Sequence, residues 1–341
     1  LDQLSPAYRF SSTATVGQMH VGRHSRALAR ELLFIPNDMN APAPRPASLL
    51  RKLEWRVRHT ADSLLGGEYR SAFRGRGREF DQVVQYEFGD DVRDIDWNVT
   101  ARRGEPYRKK YVEERELTVV LLFDDSLSLQ FGSGVRSKRD TLLELAGLFA
   151  LLSAGNRDRA GFWHATPDTT GLATRAPLMR EPVRGRTAIV ETAARLFTQP
   201  LPDLDAGGEV QLDWQRFFHA FPRHSVVLWL GDFAPRPLPP AWPALRRRYQ
   251  VVGLRVEDPW ERVLPARGRM TAVDPATGEL VPFDPSSRAS RARHAMWVRA
   301  RDAYFTHLFA SPLDRLTVST EDDLLATLVR FFRARMAGVK A

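Results

Sequence analysis

The segment Asp124-Asp125-Ser126-Leu127-Ser128 carries the spacing D-x-S-x-S, one carboxylate and two hydroxyls within a single short stretch. At the end of an apolar strand this spacing puts Asp124, Ser126 and Ser128 in one tight turn. All three are hard oxygen donors. Such donors suit Mg²⁺ or Mn²⁺, which favour octahedral oxygen coordination and keep bound water, rather than zinc. Two later segments offer more of the same chemistry. Leu230-Gly231-Asp232 ends a second apolar run on a carboxylate, and Gly185-Arg186-Thr187 opens a helical pattern with a hydroxyl after a glycine turn. The candidate metal ligands are therefore Asp124, Ser126, Ser128, Thr187 and Asp232. Plainer readings stand beside this one: an Asp-Ser pair at a strand end can be a turn or a helix cap, and Thr187 can be a simple N-cap.

The elements that must position these residues follow from patterning. Leu117 to Phe123 and Ser225 to Leu230 are continuous β-branched and apolar runs, as expected of parallel strands covered by helices on both faces. Tyr249 to Val256 predicts a third such strand and Leu316 to Ser319 a short fourth. Helical patterns fall over Lys138 to Ser153, Thr187 to Phe197, Val210 to Phe221, Pro240 to Arg248, Arg288 to Phe309 and Thr320 to Met336, the last with a cap pattern at Thr320-Glu-Asp-Asp323. Arg159 to His164 and Gly171 to Ala176 read as a strand pair around Pro167-Asp168, and Val263 to Phe283 as a loop and hairpin turning at Thr277-Gly278. Strands alternating with helices predict a doubly wound α/β sheet, its ligands gathered at the carboxyl ends of the strands.

Upstream the pattern changes. Residues 1–48 are polar, lack sustained periodicity and end in the proline-rich run Ala41 to Pro46, so a flexible tail is expected there. The chain opens on Leu1, and Met39 stands just before that run, which makes Met39 the expected start of the native product. His20 and His24 are four apart but have no third ligand nearby. Residues 49–116 predict an amphipathic helix over 49–65 ending at Gly66-Gly67, then a small β-rich unit with segments at Tyr69 to Phe73, Phe80 to Phe88 and Tyr107 to Val112. Residues 117–341 make up the α/β domain. Asp90, Asp91, Asp94 and Asp96 admit two readings, a second metal cluster or internal ion pairing. Arg93 and Arg102-Arg103 favour ion pairing, and Trp97 is expected in the core.

Composition closes off several classes. The 341 residues include no cysteine, which excludes disulfides, thiolate metal sites and cysteine nucleophiles and fits a cytoplasmic setting. The most continuous apolar stretch, Leu145 to Ala154, falls far short of the ~20 residues that cross a bilayer. It predicts a buried helix. Fifty Lys+Arg against 41 Asp+Glu leave a formal charge of +9. Basic clusters at Arg74 to Arg78, Arg108 to Lys110, Arg246 to Arg248 and Arg288 to Arg301 raise a nucleic-acid alternative, against which stand the interleaved acidic residues and the lack of a recognisable nucleic-acid module.

The order D-x-S-x-S, then G-x-T before a helix, then an apolar strand ending Gly-Asp resembles the von Willebrand factor A fold and its metal-ion-dependent adhesion site. Gly75-x-Gly77-x-Glu79-Phe80, the block Tyr86 to Trp97 and Ala101-Arg102 narrow the resemblance to the bacterial domain of unknown function 58 family, as do Glu257-Asp258-Pro259-x-Glu261, Leu264-Pro265 and the Asp274 to Gly278 turn. Asp124, Ser126 and Ser128 match the first loop of the adhesion site, Thr187 its threonine and Asp232 its later aspartate. Gly231 and Phe233 stand where serine and glycine are common. The resemblance implies a non-enzymatic adaptor that binds Mg²⁺ and lets a partner carboxylate fill the open metal position. It also implies a MoxR-type AAA+ ATPase as the functional partner, in chaperone-like or metal-insertion assembly. The enzymatic alternative, a metal-dependent hydrolase, finds little support. Ser126 occupies the position where phosphatases of the haloacid dehalogenase type need an acid, and neither G-x-S-x-G nor a phosphate-binding G-x-x-x-x-G-K-[ST] loop is present.

Overall fold

The computed structural model describes residues 51–53, 64–73, 79–112, 116–167, 178–202, 210, 212–265, 270–273 and 280–340. The tail over 1–48, with Met39 and the two histidines, lies outside these residues, as do the segment Gly171 to Ala176 and the Asp274 to Gly278 turn.

A six-stranded sheet organises the α/β part. Its strands are β3 (Thr118–Asp124), β4 (Arg159–Ala165), β5 (Leu178–Val183), β6 (Val226–Gly231), β7 (Gln250–Glu257) and β10 (Arg315–Ser319), in the order β10-β7-β6-β3-β4-β5. All neighbours are parallel except β4 and β5. From β3 the chain moves outward through β4 and β5, then returns to the other side of β3 to lay down β6, β7 and β10. The reversal falls between β3 and β6. In an open α/β sheet that is where the connections leave on opposite faces and a crevice opens at the strands' carboxyl ends.

The continuous apolar runs are explained by burial on both faces. Val119, Leu121 and Phe123 of β3 point into one core, with Leu228 and Leu230 of β6 and Leu254 of β7. That core is closed by α3 (Lys138–Gly155), α4 (Arg186–Phe197) and α9 (Leu324–Lys340). Val120 and Leu122 point the other way, into a second core rich in aromatic rings. There Trp163, Phe217, Phe221, Trp229, Phe233, Trp242, Phe305 and Phe309 interlock, supplied in part by α5 (Trp214–Ala220), α6 (Trp242–Arg248) and α8 (Arg288–Leu308). Each fully buried side chain of this size contributes about 1.5–3 kcal/mol relative to an exposed one. The apolar run Leu145 to Leu152 lies buried within α3, and no helix among the described residues is long and apolar enough to cross a membrane.

Several expected boundaries move. Leu64–Phe73 is one helix, α1, which runs through Gly66-Gly67 instead of stopping there and absorbs the expected β segment Tyr69 to Phe73. Tertiary packing explains the shift. Tyr69, Ala72 and Phe73 are buried, the Tyr69 hydroxyl shares a hydrogen bond with Ser153 at 3.1 Å, and Arg335 of α9 donates to the Ala72 carbonyl at 3.0 Å. Buried anchors of this kind outweigh the roughly 1 kcal/mol that each helical glycine costs. The second strand of the β4 pair is Leu178–Val183, downstream of the expected segment. The helix expected over Val210 to Phe221 is shorter, Trp214–Ala220, and is capped by Asp213, which accepts from the Arg216 amide. The last helix starts at Leu324, because Asp323 accepts from the Leu325 and Ala326 amides; Thr320 instead donates its hydroxyl to Asp258.

The β-rich unit is a two-stranded antiparallel ribbon of β1 (Glu79–Gln85) and β2 (Tyr107–Val112), with the short helix α2 (Trp97–Arg103) on its connection. Trp97 is 68% exposed, contrary to the expectation of a core position, and Phe88 and Val92 are exposed beside it in sequence. Among the described residues the unit is a two-stranded ribbon with no second layer over these side chains. The acidic block is structural: Asp90 pairs with Arg108 at 2.5 Å, Asp91 with Arg93 at 3.0 Å, and Asp96 caps α2 by accepting from the Asn98 and Val99 amides. Ion pairing was expected with Arg93 and with Arg102-Arg103; Arg93 does pair with Asp91, and the strand register adds Arg108, which pairs with Asp90. A hairpin of β8 (Met270–Val273) and β9 (Leu280–Phe283) completes the strands, as the sequence predicted.

Two features generate tests. Asp125 is fully buried, and its carboxylate joins three elements: Arg139 of α3 donates to it at 2.9 Å, His164 of β4 lies 2.7 Å away, and its amide donates to the Ala165 carbonyl at 2.8 Å. Removing one partner strands the other in the interior. Asp125→Ala is expected to lower the unfolding free energy by roughly 3–5 kcal/mol in urea denaturation, and a loss below about 1 kcal/mol would contradict this role. Phe233 is 2% exposed and sits in the left-handed region at φ 53°, its ring between those of Trp229, Phe305 and Phe309. Phe233→Ala should cost about 3–5 kcal/mol. Phe233→Gly should cost up to about 1 kcal/mol less despite being smaller, because glycine carries no Cβ penalty at positive φ. Thermal melting that ranks alanine above glycine would refute the backbone argument.

Candidate metal centre

The site is built where β3 and β6 end side by side. Phe123 pairs with Leu230, so Asp124 closes β3 next to Gly231, and Asp232 follows directly. The approach is close: a Cβ on Gly231 would lie 3.3 Å from the Asp124 Cβ, so glycine lets the two strand ends meet. After Asp124 the backbone turns at once. The Ser126 amide donates to the Asp124 carbonyl at 3.0 Å, and a 3₁₀ turn over Leu127–Gln130 follows, anchored by buried Leu127 and Leu129. The turn points both serine hydroxyls at the neighbouring loop. Ser126 Oγ and Ser128 Oγ are 2.9 Å apart, Ser126 Oγ donates to Asp232 Oδ1 at 3.4 Å, and Ser128 Oγ donates to Asp232 Oδ2. Asp124, Ser126, Ser128 and Asp232 are thus brought together from two loops. Thr187 is exposed, lies inside α4 with Gly185 as the N-cap, and shares no hydrogen bond with the other four. The N-cap reading of Thr187 is therefore corrected: the hydroxyl stands one position past the start of the helix.

Asp124 also makes no helix or turn cap with its side chain. Its Oδ2 accepts from Trp229 Nε1 at 3.3 Å and from Arg236, while Oδ1 is buried with no hydrogen-bond partner. Burial pushes the Asp124 carboxyl above the usual carboxylate range; the charge and hydrogen bond of Arg236 counter this only in part, and the neighbouring Asp232 adds to the rise. Asp232 goes the other way. Burial works against its charge but is outweighed by Lys138, the Ser128 hydroxyl and the Ala234 amide, which hold it below its ordinary value.

Two cations missed by motif reasoning flank the site. Lys138 is 1% exposed and lies 3.5 Å from Asp232 and 2.7 Å from Glu261. Arg236 reaches Asp124 from the loop after β6, and its guanidinium lies 5.8 Å from the centre of the Trp229 ring. Burial lowers the Arg236 pKa, but Asp124 together with Tyr304 outweighs it and holds the group above its ordinary value. Lys138 carries no sequence signal beyond opening a helix. Arg236 stands between Pro235 and Pro237 four residues after Asp232, a spacing that could have drawn notice.

Beyond Lys138 the charges continue as a network. Glu261 accepts from Arg301 at 2.9 Å, Arg301 lies 3.3 Å from Glu257, and Arg262 joins Glu257 to Asp302. Asp258 binds this region to the first loop. It caps the short helix α7 (Pro259–Arg262) in a reciprocal box with Glu261, and it accepts from the Ser133 amide at 2.8 Å and the Thr320 hydroxyl at 3.1 Å.

A hard divalent cation fits this donor set. Asp124 Oδ1 is an unfilled buried acceptor, and the oxygens of Ser126, Ser128 and Asp232 are already mutually close. The described residues contain no cluster of three or more His, Cys, Asp and Glu side chains arranged for a metal, so any ion here depends on the hydroxyls as much as on the two carboxylates.

The chain is similar to sequences of mycobacterial proteins and, more remotely, to solved structures. The uncharacterized protein Rv1480 of Mycobacterium tuberculosis (strain ATCC 25618 / H37Rv) is 31% identical over 306 residues, covering 87% of this chain and 92% of that protein, and Mb1516 of Mycobacterium bovis matches to the same extent. Among solved structures, BatB from Bacteroides thetaiotaomicron matches with 10% identity and a TM-score of 0.34 over 65% of this chain and 99% of that one. The PilB minor pilin from Streptococcus sanguinis matches with 12% identity and a TM-score of 0.32 over 69% of this chain and 64% of that one. Residues 82–304 match the family described as protein of unknown function DUF58, and with that span and the mycobacterial relatives the chain belongs to this family.

Proposed function

We propose that the protein is a Mg²⁺-dependent interaction adaptor whose metal is held by Asp124, Ser126, Ser128 and Asp232, with the Thr187 hydroxyl completing the protein's share. The observation that carries this reading is the mutual hydrogen bonding of Ser126, Ser128 and Asp232 across two loops, next to the strand end that holds Asp124, whose buried Oδ1 has no partner. When bound, Mg²⁺ supplies a centre of positive charge with an open position that an acidic side chain of another protein can fill. The serines orient on Asp232, and Lys138 fixes Asp232 toward the site.

In keeping with the resemblance set out above, the proposed partner is a MoxR-type AAA+ ATPase or its client, and the adaptor itself performs no turnover. The exposed Phe88, Val92 and Trp97 on the β1–β2 connection supply apolar area for a second contact with such a partner.

Two measurements test the reading. Asp124→Ala is expected to fold, by circular dichroism, and to lose Mg²⁺ binding in isothermal titration calorimetry. Equal Mg²⁺ affinity in the two proteins would remove the metal assignment. In pull-downs from native lysate, an AAA+ ATPase should be retained with Mg²⁺ and released by chelator; retention indifferent to the metal would remove the bridging role.

A further inference from the structure

Asp124 already has a counter-ion. The Arg236 guanidinium contacts Asp124 Oδ2, and the Arg236 side chain is only 24% exposed. The sequence around it is Ala234-Pro235-Arg236-Pro237-Leu238-Pro239-Pro240. Prolines fix their own φ, and a residue that precedes one is kept out of the helical region, so Pro237 keeps Arg236 extended while Pro235 fixes its own φ and keeps Ala234 extended. The same loop carries Asp232 at its start. A stiff loop therefore delivers one carboxylate to the site and, four residues later, the cation that neutralises the other. The indole of Trp229 braces this arrangement, donating to the same Asp124 oxygen at 3.3 Å while its ring faces the guanidinium.

Resting on the metal reading above, we infer that Arg236 is a built-in competitor of the divalent ion: it occupies Asp124 in the metal-free site, and metal capture weakens or breaks that contact. A dication on Asp124 Oδ1 and a guanidinium on Oδ2 of the same buried carboxylate repel each other at close range in a poorly screened setting, so each lowers the affinity of the other. Lys138 imposes a smaller restraint on Asp232, since at 3.5 Å it is farther away and is shared with Glu261 at 2.7 Å. Arg236 thus sets the metal concentration at which the site fills. Once displaced, its charge stands beside the open metal position, where an acidic partner residue would meet it.

The experiment titrates Mg²⁺, and separately Mn²⁺, into the full chain and into Arg236→Gln, Arg236→Lys and Asp124→Asn by calorimetry, with circular dichroism as the check on folding. Arg236→Gln should bind at least about tenfold more tightly than the wild type, Arg236→Lys should stay near wild type because the charge remains, and Asp124→Asn should lose binding. An independent arm uses the unmodified sequence: phenylglyoxal labelling of Arg236, read by peptide mass spectrometry, should rise when Mg²⁺ is added. If wild type and Arg236→Gln bind with equal affinity while Asp124→Asn does not bind, the competitor role is overturned and the metal reading stands. Labelling of Arg236 that is unchanged by saturating Mg²⁺ overturns it as well, even if the glutamine variant misfolds. If neither the wild type nor folded Arg236→Gln binds either metal, both inferences fall.

Discussion

Two carboxylates buried at the ends of adjacent strands cannot stand there without positive charge. Asp124 and Asp232 are 5% and 8% exposed, and the close packing of β3 on β6 prevents them from moving apart. Whatever neutralises them must come from nearby in the fold or from solution. Arg236 and Lys138 supply two charges from the chain itself, one for each carboxylate, and much of the local architecture is arranged to deliver them. The proline-bracketed loop after β6 carries Arg236, and the capped start of α3 carries Lys138, with Ser137 and Asp140 forming the reciprocal cap that fixes that helix end. A divalent ion would enter a site whose two carboxylates already have cationic partners, one of them shared with Glu261, which separates this site from an open cluster of acids.

The two Asp residues at the end of β3 illustrate how adjacent positions acquire different work. Strand alternation sends their side chains to opposite sides. Asp125 turns inward to Arg139 and His164, joining β3, β4 and α3. Asp124 turns toward the crevice beside β6, with one oxygen satisfied by Trp229 and Arg236 and the other left without a partner. The first is a tie within the fold. The second keeps one oxygen with unfilled hydrogen-bonding capacity, and it lies at the sheet's reversal, where α/β proteins of this topology hold their ligands.

The formal charge of +9 also takes on a different meaning in three dimensions. Read along the chain, basic clusters suggested an anionic surface partner. In the fold, Arg139, Lys138, Arg301, Arg255 and Arg335 are buried or nearly so, each against carboxylates or backbone carbonyls. Arg301 and Arg255 also lie over the rings of Trp297 and Phe305, where apolar contact offsets some of the loss of water around a guanidinium. Part of the positive charge is therefore structural and unavailable to any partner.

The sequence by itself determined the buried parallel strands β3, β6 and β7, the fold class and four of the assembled oxygen donors. Buried parallel strands must be continuously apolar, and D-x-S-x-S at the end of one of them has few other places to put its side chains. It could not reveal that Leu64–Phe73 is a helix through two glycines, because the gain comes from Tyr69 and Phe73 packing against an element more than 250 residues away. Nor could it show that Trp97 faces solvent, since that depends on the ribbon having no second layer among the described residues. Which cation neutralises which carboxylate was decided only by tertiary structure. Lys138 and Arg236 are 94 and 112 residues distant in sequence from the acids they meet, and only the reversal of the sheet between β3 and β6 brings them together.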